Sequence, residues 1–287
     1  MNSDVPTSNK WLLDHAANKN SQFGEDGIIA KILDVIGKPT HWCVEFGAWD
    51  GRHLSNTYDL ISSKDYSAVL IEGSESRHRE LAARFKDNAN VHAMHAFVGF
   101  GTDDGLDTLL AETEIPQDFD LLSIDIDGND YHAWKAVSHY RPRVVVIEYN
   151  PTVPSSVEFV QAADMSVNQG CSILSLKKLG CEKGYELVSV TDFNCIFVKA
   201  EYFERFGIED NSVAMLRPNE NLVTHIFSGY DGSILLRGHN RLPWIGFPLL
   251  EKKLQQVPRW LRQFPGNYGP VKKFLSKPYR SWRKRRS

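Results

Sequence analysis

The residues best able to do chemistry concentrate in two short runs. Asp125-Ile126-Asp127-Gly128-Asn129-Asp130 sets three acids within six residues, and Glu148-Tyr149-Asn150-Pro151 adds a further acid and an amide. Acids this close repel one another unless a cation or donor group offsets them. Hard oxygen donors of this kind suit magnesium, with water completing the octahedron. Asp125, Asp127, Glu148 and Asn150 are therefore the expected metal ligands. The alternative is that Asp127 and Glu148 work metal-free, binding small molecules directly. His132, one turn beyond the acids, is the expected general base; an exposed helix histidine explains it equally well. His53 is a weaker choice. Asp127 and Glu148 complete the expected catalytic set with His132.

A second constellation lies earlier. Trp42 to Phe46 is an apolar run that ends in Gly47-Ala48-Trp49-Asp50-Gly51. Glycine there lets backbone approach a ligand where a side chain would block it. Glu72-Gly73 closes the next apolar run, and a carboxylate at that place can accept both hydroxyls of a ribose. Ala96-Phe97-Val98-Gly99 offers apolar side chains against which an adenine ring could lie. The first turn does not read G-x-G-x-x-G, which weighs against a dinucleotide fingerprint.

These runs need elements to position them. Apolar spacing at Ile28, Ile29, Ile32, Leu33 and Ile36, closed by Gly37, predicts a helix. Strands are predicted at Trp42 to Phe46, Ser67 to Ile71, Val91 to Val98, Phe119 to Ile124 and Arg143 to Ile147. Helices are predicted between them at Leu54 to Ser62, Ser76 to Phe85 and Tyr131 to Val137. Alternating strands and helices imply right-handed crossovers and a parallel sheet. In such sheets ligands collect beyond the carboxyl ends of the strands, where every polar cluster above falls. A helix at Ser172 to Leu179 and an antiparallel pair, Tyr185 to Thr191 with Asn194 to Lys199, finish the sheet. The expected fold is thus α/β, a doubly wound Rossmann-like sheet, mostly parallel with an antiparallel last strand, followed by a C-terminal extension.

Several stretches together resemble the FkbM-type branch of class I S-adenosylmethionine (SAM) dependent methyltransferases. They are Ser21-Gln22-Phe23-Gly24-Glu25-Asp26-Gly27, Val44 to Gly51 with Asn56-Thr57, Leu70 to Gly73, Leu122 to Tyr131 and Val146 to Pro151, spread over residues 21–200. The resemblance implies a SAM-dependent O-methyltransferase acting on a sugar hydroxyl of a bacterial glycan or glycolipid, with magnesium assistance left open. It implies that Glu45, Gly47, Asp50, Asn56, Glu72 and Asp125 surround SAM. Ala48, Gly73, Phe97 and Val98 join them as the neighbouring parts of the turn, the ribose site and the adenine site. Asn150-Pro151 is followed by Thr152-Val153, not by proline and an aromatic, so the motif of amino-directed nucleic-acid methyltransferases is absent. Two other readings are an NAD-type oxidoreductase and a non-catalytic binding module on the same scaffold.

Composition sets the frame. Hydrophobic residues make up 42% and charged residues 24% of 287 residues, which suits a globular protein. No apolar run is long enough to span a bilayer, and Met1 to Asn9 shows no secretory signal pattern. Cys43, Cys171, Cys181 and Cys195 form no C-x-x-C pair and read as reduced, buried thiols of a cytoplasmic protein. Residues 258–287 hold ten Lys and Arg and no acid, leaving 23 basic against 36 acidic residues elsewhere. Within them Val271, Phe274, Leu275, Tyr279 and Trp282 would share one helix face, interrupted by Pro278. A basic amphipathic segment of this kind suits an anionic membrane surface, here the inner leaflet; nucleic acid and a solvated tail are the rivals. The expected organisation is 1–200 as the SAM domain, 201–257 as an acceptor-site or lid extension rich in Gly, Pro and aromatics, and 258–287 as the basic tail.

Overall fold

The computed structural model describes residues 8–284. Met1 to Thr7 and Arg285 to Ser287 lie outside the described residues, as do the side chains of Arg280 and of 282–284, including Trp282 of the expected apolar face. The chain divides into two compact units, Met1–Glu220 and Asn221–Ser287.

In the first unit the elements run α1 (Glu25–Ile36), β1 (Trp42–Phe46), α2 (Tyr58–Ser63), β2 (Ser67–Glu72), α3 (Glu75–Phe85), β3 (Val91–His95), α4 (Leu106–Leu110) and β4 (Leu121–Ile124). They continue with α5 (Asp130–Ala136), β5 (Val144–Glu148), α6 (Ile173–Glu182), β6 (Tyr185–Val190), β7 (Asn194–Lys199) and α7 (Val213–Leu216). The second unit holds β8 (Thr224–Ser228), β9 (Ile234–Gly238), α8 (Glu251–Leu254) and α9 (Pro270–Lys284).

Seven strands form one sheet in the order β3-β2-β1-β4-β5-β7-β6. β1 to β5 pair in parallel, and β7 runs antiparallel to both β5 and β6. This is the doubly wound, Rossmann-like sheet, mostly parallel with an antiparallel strand at its far end, that the strand pattern predicts. Its order reverses between β1 and β4, which makes their carboxyl ends the topological switch point. β1, β2, β4 and β5 read as continuous Val, Ile, Leu and Phe because helices cover both faces, and their interior residues are buried. α1 buries Ile28, Ile29, Ile32, Leu33 and Ile36 on one face and stops at Gly37, whose φ is 87°.

Several local features depart from the pattern, among them α4, which the apolar spacing did not mark. α2 begins at Tyr58 instead of Leu54, because the intervening residues are committed to Glu45 (below). β3 ends at His95, three residues short. The extension rich in Gly, Pro and aromatics contains an antiparallel hairpin, β8–β9. α9 runs through Pro278 without interruption. A proline there leaves one carbonyl unbonded a turn earlier, at Phe274, and Phe274 is exposed, so water can take that bond. Cys43, Cys171 and Cys195 are free and buried, whereas Cys181 is free but exposed.

Candidate active site

The loop after β1 is built from internal hydrogen bonds. Gly47 has φ of 77°, and a Cβ there would overlap the main-chain oxygen of Asp125. The close approach that demands glycine is therefore between two strand ends, β1 and β4. The amides of Gly47 and Ala48 both donate to the Ile71 carbonyl, at 3.1 and 3.2 Å. Trp49, in the left-handed region at φ 48°, donates its amide to Glu72 Oε2 at 2.8 Å. Gly51 donates to the Ala48 carbonyl, and Arg52 and His53 donate to Asp50 Oδ1.

Glu45 braces the rest of that loop. Its Oε1 accepts the Asn56 amide at 2.8 Å, and its Oε2 accepts the hydroxyls of Ser55 at 2.6 Å and Thr57 at 2.8 Å. Asn56 Nδ2 reaches across to Ser123 Oγ on β4 at 3.1 Å. Burial pushes the Glu45 carboxyl up, against these hydrogen bonds. Asp50 is a turn residue whose Oδ2 pairs with Arg84 of α3 at 2.6 Å. Partial burial acts to raise its pKa, but the His53 and Arg52 amides and Arg84 hold it below the usual range. Glu45, Asp50 and Asn56 thus shape the loop through contacts within the protein.

Glu72, at the end of β2, is buried and accepts one amide on each oxygen, from Trp49 and from Ser74. Each carboxylate oxygen has a second acceptor site left. Gly73 follows, and a Cβ there would strike the ring of Phe97. Phe97 is 72% exposed, a flat apolar surface beside Glu72, whereas Val98 is buried in the core. Trp49, with Arg77 stacked 4.2 Å from its ring centroid, flanks the same place. Its role was not legible in the sequence, because a tryptophan with positive φ has no pattern signal.

The acids gather next to this on β4 and β5. Asp125, Asp130 and Glu148 each offer an oxygen, all within 4.8 Å of one another. Asp130 occupies the first turn of α5 and accepts the amides of Ile126 and Gly128, both at 2.9 Å. Crowding by protein atoms, then repulsion from Asp125, Asp130 and Asp127, holds the Glu148 carboxyl up at about 10. The same two causes raise Asp125 to about 8. Solvent reaches Asp125, so mutual repulsion is the sturdier cause there. Burial raises Asp130 to about 6 despite its two amide donors. The group holds protons at neutral pH that isolated carboxyls would have released.

Glu25 extends the acid rim. It is buried, accepts the Thr191 hydroxyl at 2.7 Å and the Asn194 side-chain amide at 3.0 Å, and takes the Phe23 amide on its other oxygen. Asn194 pairs with Glu148 across β5 and β7, so the Ser21–Gly27 motif reaches the fifth strand's end. Sequence pattern alone left Glu25 in the motif just before the first helical spacing and gave it no site role.

The structure brings Asp130, not Asp127 or Asn150, to Asp125 and Glu148. Asp127 sits in the left-handed region at φ 55°, and its main-chain oxygen accepts Asn168 Nδ2; that backbone turn takes it out of the three-acid group. Asn150 closes a local turn, accepting the Thr152 amide and hydroxyl and donating to the Gln169 carbonyl. His132 Nε2 lies 2.9 Å from the Gln161 carbonyl, so that nitrogen carries a proton and donates. His53 packs edge-on against Trp49.

The sequence matches no protein family and no curated protein. In fold the chain is similar to the N-terminal domain of EvdMO1 in the presence of SAH and D-fucose, at 14% identity and TM-score 0.40, over 64% of this chain and 82% of that one. It is also similar to a putative O-methyltransferase from Klebsiella pneumoniae, at 13% identity and TM-score 0.41, over 68% and 92% of the two chains. A SAM-dependent methyltransferase from Clostridium acetobutylicum ATCC 824 aligns at 10% identity and TM-score 0.38, over 61% and 89%. Likeness this distant leaves the chemistry to the residues of the rim.

Proposed function

We propose that the chain is a SAM-dependent O-methyltransferase whose acceptor is a sugar hydroxyl of a bacterial glycan or glycolipid. The observation that carries the cofactor is the character of the switch-point rim. Dinucleotide sites of this fold hold a pyrophosphate on free amides at a helix N-terminus directly after β1. Here the amides of Gly47, Ala48, Trp49, Gly51, Arg52 and His53 are bonded internally, and α2 begins only at Tyr58. Glu72, Asp125, Asp130, Glu148 and Glu25 line the rim. A cationic sulfonium or ammonium group set among these acids would favour their ionised form and be held by it, whereas a pyrophosphate would find those amides already taken. Glu72 would accept the ribose hydroxyls, and Phe97 against Gly73 would carry the adenine.

The acceptor class rests on the resemblance of the quoted motifs. Methyl transfer is an in-line displacement: the carbon–sulfur bond breaks as the carbon–oxygen bond forms, and the hydroxyl proton must leave. Asp125, at the open end of the acid group, would take that proton once the cationic cofactor or a divalent cation beside it had drawn its pKa down. Asp125, Asp130 and Glu148 also fit a divalent cation, being hard oxygen donors whose repulsion a cation would relieve. Magnesium there would supply Lewis-acid polarisation of the acceptor hydroxyl.

Isothermal titration of the full chain with SAM, S-adenosylhomocysteine and NAD tests the reading. Binding of the first two is expected, and Glu72→Ala should weaken it about tenfold to a hundredfold, the loss of hydrogen bonds to a charged group. Tighter binding of NAD than of SAM would sink the proposal in favour of an oxidoreductase. Mass spectrometry of candidate glycans for the gain of one methyl group tests the acceptor. Unchanged methyl transfer in Asp125→Asn and Glu148→Gln would remove the acids from the chemistry.

A further inference from the structure

Residues 221–287 carry a charge and a surface quite unlike the rest of the chain. They hold fourteen Lys and Arg against two acids, leaving nineteen basic against thirty-four acidic residues in 1–220. Thirteen of the nineteen large hydrophobic side chains exposed among the described residues also lie there. Among the described residues of this unit four hydrophobics, Val223, Leu236, Leu261 and Tyr268, are buried. A unit that shows more large apolar side chains than it hides has an outside suited to something other than water.

Two places show that this exposure is built. The loop from Leu242 to Phe247 is held shut by its own backbone: the Gly246 amide donates to the Leu242 carbonyl at 2.7 Å, and the Leu242 amide to the Phe247 carbonyl at 2.9 Å. Its side chains nevertheless face out, with Trp244 60%, Ile245 65% and Phe247 67% exposed. α9 is the second. Amphipathic helices ordinarily turn the apolar stripe inward. This one is attached along the line Lys272, Ser276 and Tyr279, spaced as neighbours on one face. Lys272 donates to Gln263, Ser276 is buried, and Tyr279 donates its hydroxyl to the Gln256 carbonyl. The apolar stripe of Val271, Phe274 and Leu275 is left exposed.

We propose that residues 221–287 form a docking module for an anionic lipid bilayer, with the Leu242–Phe247 loop and the outer face of α9 entering the interface while lysines and arginines meet the headgroups. This proposal does not depend on the methyl-transfer reading. Charge complementarity selects an anionic occupant, and the apolar side chains select which one. Nucleic-acid bases stack on aromatic faces, but Ile245, Val271 and Leu275 have none; aliphatic and aromatic groups mixed beside cations match the boundary between headgroups and acyl chains. The basic stretch is also wider than the tail, since Arg237, Arg241, Lys252 and Lys253 precede it.

Co-sedimentation of the full chain with vesicles tests this, comparing phosphatidylcholine alone with phosphatidylcholine plus phosphatidylglycerol. The chain is expected to pellet with the mixed vesicles and to stay in solution with the neutral ones. Lys273→Glu with Lys277→Glu should weaken binding about tenfold or more. Trp244→Ser with Phe247→Ser should weaken it comparably and at higher salt too, where the electrostatic part is screened. All four side chains lie outside the core, so an unchanged melting temperature should accompany both variants. No pelleting with anionic vesicles, or pelleting that both pairs leave unchanged, overturns the proposal; so does tight binding of a polynucleotide by a chain that ignores vesicles. SAM titration of the same samples reads the other site separately.

Discussion

Burial, and then repulsion among neighbouring carboxyls, raises Glu148 and Asp125 well above the ordinary carboxylate range, and that has a consequence for stability. A carboxyl whose pKa is raised on folding binds protons more tightly in the native state. Its stabilising contribution is complete below the unfolded value, near 4, and is lost as pH rises through the folded value, about 10 for Glu148 and about 8 for Asp125. The chain should therefore become less stable to urea from mildly acidic to alkaline pH, by up to about 1.4 kcal/mol per pH unit for each such group. Glu148→Gln removes one member and should flatten that slope; an unchanged slope would mean that folding does not raise the Glu148 carboxyl. Magnesium, if these acids hold it, should raise the melting temperature more at pH 8 than at pH 6. Glu148→Gln should abolish that rise and Asp127→Asn should leave it. Equal responses of the two variants would return Asp127 to the ligand set. The two strand ends were legible as acid sites from spacing alone, but the choice among Asp125, Asp127 and Asp130 was not. The three whose oxygens meet are Asp125, Asp130 and Glu148, while Asp127 stands in a left-handed turn beside them, and aspartate in a turn gives no sign of which region it adopts.

The elements around the rim were legible wherever burial dictates pattern. The strands of a parallel sheet must be apolar throughout, so β1, β2, β4 and β5 announced themselves. The loop after β1 was not legible, because its structure comes from side chains bonding to distant backbone. Ser55, Asn56 and Thr57 look like helix-forming neighbours of Leu54 until Glu45 claims all three. Local side-chain hydrogen bonds compete with helix in this way. Pro278 failed in the opposite sense: an exposed helix can give up one carbonyl to water and continue. Gly47 carries the loop's sharpest prediction. Any side chain there meets both a left-handed backbone and the Asp125 carbonyl. Gly47→Ala should cost about 2–4 kcal/mol, combining conformational strain with overpacking, and should lower the urea midpoint accordingly. Gly37→Ala is the control, since φ is also positive but nothing lies within 4 Å of the added carbon. Equal losses at both positions would show that the strand-end contact contributes nothing.

At the scale of the molecule, the charge asymmetry read from the sequence was real but placed too late. Basic residues dominate from Arg237 onward, and the boundary of the compact units along the chain falls between Glu220 and Asn221, so residues 201–220 of the expected extension belong to the sheet's unit. Glycine and proline content gave no hint of that, because both units have turns. Every strand of the seven-stranded sheet, and every acid of the rim, lies within residues 1–220. A chain ending at Glu220 is thus expected to unfold in one cooperative urea transition and to bind SAM within about threefold of the full-length affinity, a difference of under 1 kcal/mol. It should also lose all attraction to anionic vesicles, since its thirty-four acids against nineteen basic residues repel a negative surface within a Debye length of about 8 Å. A broad transition, or SAM binding lost with the second unit, would mean that residues 221–287 complete the first unit's fold or its site, and that the two activities proposed for this chain share one structural base.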